Sequence, residues 1–124
     1  TFVDLNSGTY KVNIGLDISH GGKIVCYFQS TNTYLISSNS VSATTWTHIA
    51  LVRSSGTFTL YINGVSNGTN ADSNNFGTNG TLRVGSNLNA SYDFNGYIDD
   101  LRITKGVARY LGNFTPPTSQ LQDQ

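Results

Sequence analysis

The side chains able to do acid–base or metal chemistry are few. Every acid in the 124-residue chain is an aspartate: Asp4, Asp17, Asp72, Asp93, Asp99, Asp100 and Asp123. Glycoside hydrolysis needs two carboxyl groups facing one bond, roughly 5 to 9.5 Å apart. The only clustered acids are Asp99 and Asp100. They are adjacent, and neighbouring side chains on a strand point to opposite faces. His20 and His48 have no Cys, Glu or second His at ligand spacing, and no Ser-His-Asp order builds a nucleophile elbow. Cys26 alternates with Ile24 and Phe28, which reads as a buried, inert thiol. The expectation is a chain with no catalytic residue, and a glycoside hydrolase is the weakest reading.

Binding chemistry is better represented. The stretches from Asn67 to Asn79 and from Ser86 to Asn95 are dense in amides and hydroxyls. Sugars are recognised by an aromatic ring against their C–H face and by amide, carboxylate and backbone groups on their hydroxyls. Asn87, Asn89, Tyr92 and Asp93 supply that combination in one segment and are the expected carbohydrate-binding residues. The alternative is that Asn and Gly simply form turns there.

Composition removes several classes. Seven Lys and Arg balance seven Asp, and charged residues are 11% of the chain, against roughly 25% in an average soluble domain. No basic patch exists to neutralise a phosphate backbone, so nucleic acid is not an expected partner. No apolar run approaches the roughly 18 residues of a membrane span. One cysteine forms no internal disulfide. Fourteen aromatic residues spread along the chain disfavour disorder.

The elements that must position these groups are strands. Alternation of period two, broken by turn signals every 8 to 12 residues, predicts an all-β antiparallel sandwich. Expected strands cover 10–18, 23–29, 34–36, 46–53, 57–62, 81–85 and 94–104, with a strand beginning again at Val65 and at most a short one in 1–5. Asn63-Gly64 is the strongest hairpin signal, because a type I′ turn needs positive φ at both positions. The stretch 67–80 reads as a long loop, and 105–112 as at most one helical turn. The expected core is Ile24, Phe28, Trp46, Ala50, Val52, Phe58, Leu60, Ile62, Leu82, Val84, Ile98, Leu101 and Ile103, with Tyr27 and Tyr61 on the exposed face.

The run Trp46-Thr47-His48-Ile49-Ala50-Leu51-Val52-Arg53, followed by Phe58-Thr59-Leu60-Tyr61-Ile62-Asn63-Gly64-Val65, resembles the laminin-G-like jelly roll of the concanavalin A-like lectin/glucanase superfamily. Phe94-Asn95-Gly96-Tyr97-Ile98-Asp99-Asp100-Leu101-Arg102-Ile103 is similar to that family's closing strand. Its continuation through Lys105, Tyr110 and Asn113-Phe114-Thr115-Pro116-Pro117 resembles a subgroup of tailed-phage structural proteins.

The resemblance implies a two-sheet jelly roll over residues 1–118 and a tail over 119–124. Members of that family begin with strands upstream of Tyr10 to Phe28, for which at most Thr1 to Leu5 could stand here, so the expectation is the C-terminal part of a longer protein; the alternatives are a smaller sandwich or one completed by another chain. The resemblance also implies a non-catalytic recognition or structural module of a phage virion: tail fibre, receptor-binding tip or capsid decoration. The alternative is a stand-alone or bacterial-surface lectin-like domain, or a secreted one. No cofactor is the expectation; because enzymes of the superfamily place a cation near an Asp corresponding to Asp99, the resemblance leaves calcium on Asp99 as the alternative, against an Asp that caps a turn or pairs with Arg102 or Arg83. The implied partners are virion proteins or further copies of this chain, as a homotrimer, together with a cell-surface glycan.

Overall fold

The computed structural model describes residues 1–7, 11–76, 80–87, 89 and 91–122. It is all-β, without a helix among the described residues. Eight strands follow in order: β1 (Val3–Asn6), β2 (Lys11–Asp17), β3 (Lys23–Phe28), β4 (Thr33–Ser40), β5 (Ile49–Ser54), β6 (Thr57–Ile62), β7 (Val65–Ala71) and β8 (Thr81–Val84). They form two antiparallel sheets, β4-β3-β2-β1-β8 and β5-β6-β7, in the manner of a jelly-roll sandwich.

Turn chemistry sets the register. Asn63 and Gly64 have φ of 49° and 79°, and Ser55 and Gly56 have 47° and 75°. Both pairs are two-residue turns whose twist matches the strands they join. Ser55-Gly56 places Ile49 opposite Ile62 and Leu51 opposite Leu60, and Asn63-Gly64 places Val65 opposite Ile62. On the larger sheet, Val12 faces Phe28 and Ile14 faces Cys26. The inner faces meet in a cluster of Val12, Ile24, Cys26, Phe28, Leu35, Phe58, Leu60 and Ile62. Phe28 and Phe58 bridge the two sheets with ring centroids 4.7 Å apart.

The structure corrects parts of the expected core. Ala50 and Val52 lie on the outer face of β5, because Ile49 and Leu51 are the residues aligned with buried Ile62 and Leu60. Both parities of that strand are apolar, so alternation alone does not choose its face. Trp46 is 70% exposed, since the ladder begins only at Ile49 and Thr44 turns the chain at φ 60°. Residues 94–104 form no strand. No described strand lies in register with them, and Asp100 at φ 54° interrupts the extended run. Ile98, Leu101 and Ile103 therefore stay exposed, as do Leu82 and Val84 of β8.

Other differences follow from backbone pairing. β7 runs through Asn67 to Ala71, where only a loop is expected, because β6 satisfies its amides in spite of the polar side chains. β4 extends through Ser40, and 105–112 contains no helical turn. Thr1 to Leu5 does contribute a strand, which lies within the larger sheet between β2 and β8. Tyr10, Asn79 and Asp123 lie outside the described residues.

Candidate functional site

The segment after β8 is a loop closed at its base. The Phe94 N–H donates to the Gly85 carbonyl at 2.7 Å, bringing the two ends together. The Phe94 ring meets Phe2 edge-on at 4.6 Å, anchoring that base to the strand β1 side. Compact loops whose ends are pinned in this way commonly carry function on a rigid frame.

Inside the loop the four expected binding residues divide by role. Asn87 is buried, and its Oδ1 accepts the Ser91 N–H at 3.0 Å. The Asn89 carbonyl accepts the Ser91 hydroxyl at 3.1 Å, leaving an exposed residue at the tip. The Tyr92 carbonyl accepts from the Thr1 nitrogen at 2.8 Å, while its side chain stands 69% exposed. Asp93 is exposed next to it. Asn87 holds the loop, and Asn89, Tyr92 and Asp93 face water.

Asp99 and Asp100 lie elsewhere, lining an open hollow of about 930 Å³ with Trp46, Arg102 and residues 117–122. The Asp99 carboxylate accepts the Asp100 N–H at 2.8 Å. Both Asp100 oxygens accept the Leu121 N–H at 3.0 Å, which ties the chain end to this hollow. Among the described residues no three His, Cys, Asp or Glu side chains gather as a cation cage. The exposure of Trp46 is not legible in the sequence. Its apolar neighbours disguise it as core, and only the Thr44 turn takes it out of the ladder.

The remaining reactive groups have structural partners. Asp17, Ser19 and His20 meet in the β2–β3 turn: the Ser19 hydroxyl donates to Asp17 Oδ1, and His20 Nδ1 lies 2.7 Å from Oδ2. Serine and carboxylate both approach the same ring nitrogen, so no serine-to-histidine-to-aspartate relay forms. Hydrogen bonds from Ser19 first, and then His20, hold the Asp17 carboxyl down at about 2. Burial pushes the Cys26 thiol up to about 12, which keeps it protonated. Burial also raises Asp72, but hydrogen bonds from Ser30 and Asn74, with Arg53 nearby, outweigh this and hold it below the usual carboxylate range.

A strap covers the outer face of the small sheet. Tyr110 and Phe114 stack with centroids 3.6 Å apart, and Phe114 closes on Tyr61 at 5.4 Å and on His48 at 5.5 Å. Tyr61, expected on the exposed face, is therefore only 3% exposed. Tyr27 remains half-buried on its own sheet, against Tyr34 at 4.8 Å.

No curated protein and no solved structure matches the chain. A laminin-G-like family model, described as the concanavalin A-like lectin/glucanases superfamily, matches residues 1–108. That span takes in both sheets and the loop carrying Tyr92. With two stacked antiparallel sheets behind the match, the chain belongs to the concanavalin A-like lectin/glucanase superfamily.

Proposed function

We propose that this protein is a non-catalytic carbohydrate-binding module that takes its ligand on the loop between Gly85 and Phe94. The observation that carries the reading is the exposed Tyr92 ring between exposed Asn89 and Asp93, on a loop closed by the Phe94–Gly85 bond and stapled by Asn87. The ring offers an apolar face to sugar C–H groups, and the amide and carboxylate accept and donate to hydroxyls. Because the frame is held before binding, less ordering entropy opposes association. Superfamily membership fits a lectin-like module.

Glycan-array screening followed by calorimetric titration tests the proposal. Tyr92→Ala and Asn89→Ala each weaken the sugar found on the array by about tenfold or more, or ~1.4 kcal/mol. Unchanged affinity in both variants overturns the reading. Calcium belongs in the same titration, with Asp99→Asn as the variant that removes any calcium dependence.

A place on a phage particle is the second reading, as a tail-fibre, receptor-binding or decoration module at the virion surface. It is favoured by Val107 and Leu111, which stand 62% and 77% exposed within the segment that resembles such proteins, and by Tyr97, 87% exposed shortly before it. Neighbouring subunits would bury them.

A further inference from the structure

Asparagine stands directly before glycine at positions 63, 67, 79 and 95. That pair carries a chemistry of its own. The backbone nitrogen of the second residue can attack the asparagine Cγ, and glycine offers no Cβ to crowd the approach. The attack needs a side-chain amide free to swing and a backbone free to turn. The fold decides which pair has both.

Two of the pairs are held. Asn63 Oδ1 accepts the His48 N–H at 2.9 Å, and the Asn63 N–H donates to the His48 carbonyl at 2.8 Å. Gly64 behind it is buried in the hairpin turn. Asn67 on β7 is 2% exposed; its Oδ1 accepts the Asn39 N–H at 3.1 Å and its Nδ2 donates to the Val65 carbonyl at 3.0 Å. Gly68 lies in the ladder opposite Leu60. Asn79 is outside the described residues.

Asn95 differs on each count. It and Gly96 are exposed, in a stretch that forms no strand. Among the described residues no hydrogen bond holds either of them. The glycine is fixed by packing: a Cβ on Gly96 would stand 2.6 Å from Cζ of the Phe94 ring. Close approach of that ring requires the glycine, and the reactive pair comes with it.

We propose that Asn95 is a self-modification site, which deamidates in the folded chain ahead of Asn63 and Asn67. The Gly96 nitrogen gives up its proton to solvent and bonds to Asn95 Cγ. The Cγ–Nδ2 bond breaks, ammonia leaves, and a five-membered succinimide remains. One water then opens the ring. Opening at Cγ gives aspartate; opening at the main-chain carbonyl gives isoaspartate, whose main chain runs through Cβ. Asparagine and one water thus become aspartate or isoaspartate and ammonia, with no oxidant or cofactor. Either product adds a negative charge close to Asp93. Isoaspartate also lengthens the chain directly behind Phe94, whose ring on Phe2 anchors the loop base. The inference is separate from the glycan-binding reading, and its test contains no sugar.

The folded chain is incubated in mildly alkaline buffer, and conversion at each asparagine is followed by peptide mapping with mass spectrometry. Asn95 is expected to convert at least about tenfold faster than Asn63 or Asn67, which react only from locally opened states. In guanidinium the three rates converge. Asn95→Gln, whose longer side chain closes a less favourable ring, removes the early conversion and leaves the other two sites slow. Comparable conversion at Asn63 or Asn67 in the folded chain overturns the inference. An Asn95 that keeps its amide in the folded chain while reacting in guanidinium overturns it as well. Both of those outcomes are read on the unmodified sequence, so neither depends on a variant that folds.

Discussion

The Phe114 N–H donates to the Gly64 carbonyl at 2.9 Å, and the Phe114 carbonyl oxygen lies only 1.8 Å from where a Cβ on Gly64 would stand. The β6–β7 hairpin tip and the C-terminal strap are thus one packed unit. Asn113 completes it by accepting the Ser66 N–H on Oδ1 at 2.9 Å. Gly64 is fixed twice, by a φ of 79° and by the backbone laid against it.

Gly64→Ala therefore destabilises the fold by about 2–4 kcal/mol, since it adds left-handed strain to a clash with backbone that has no side-chain freedom. Phe114→Ala costs about 2–3 kcal/mol by uncovering Tyr61 and removing the stacking on Tyr110. Chemical denaturation of the two variants checks both figures. A neutral Gly64→Ala would mean that the strap does not sit on the turn.

His48 makes the strap sensitive to acid. Burial, and then the nearby Arg102, lower its pKa from the ordinary 6.5, with Asp100 opposing. The unfolded chain therefore takes up the proton first as pH falls. Stability is full above pH 6.5 and declines below it, toward the lowered folded value. The Asp17 contribution lies in a separate window, lost only as pH falls from 3.8 toward about 2. Thermal melts at pH 7 and pH 5 should show a drop that His48→Phe reduces. An equal drop in the variant would contradict this origin.

Cys26 reports on the core. It is 0% exposed with its thiol pushed up to about 12, so native protein resists thiol reagents at neutral pH. Labelling should track global opening and accelerate with denaturant. Rapid stoichiometric reaction of the folded chain would place this strand outside the core.

Much of this architecture is legible in the sequence because alternation and turn chemistry are local. Asn63-Gly64 announces its turn, and Ile24, Cys26 and Phe28 announce a buried face. What alternation cannot show is whether an apolar face finds a cover. Leu82 and Val84 have the pattern of core residues, yet they lie where the smaller sheet does not reach. Tyr61 has the pattern of a surface residue, yet Phe114, more than fifty positions later, buries it. The binding loop is readable as residue types. Its division into a buried staple, Asn87, and exposed Asn89, Tyr92 and Asp93 requires the hydrogen bond to Ser91.

Asn87 positions the loop without facing the ligand. Asn87→Ala leaves the Ser91 N–H without its acceptor and costs about 1 kcal/mol of stability. Sugar affinity should fall several-fold although no sugar-facing side chain has changed. Asn87→Asp retains an oxygen acceptor and should restore most of that affinity. A loss of melting temperature with unchanged affinity would separate the staple from binding.

The most direct test of carbohydrate binding on this loop is a two-dimensional NMR titration of the labelled chain with the sugar found by array screening. Saturable shifts centred on residues 85–94 are expected, with Asn89 and Tyr92 among the largest, and they should disappear in Tyr92→Ala. Shifts centred instead on Trp46 and residues 99–102 would move the site to the open hollow and contradict the assignment, and no shifts at saturating sugar would contradict the function itself.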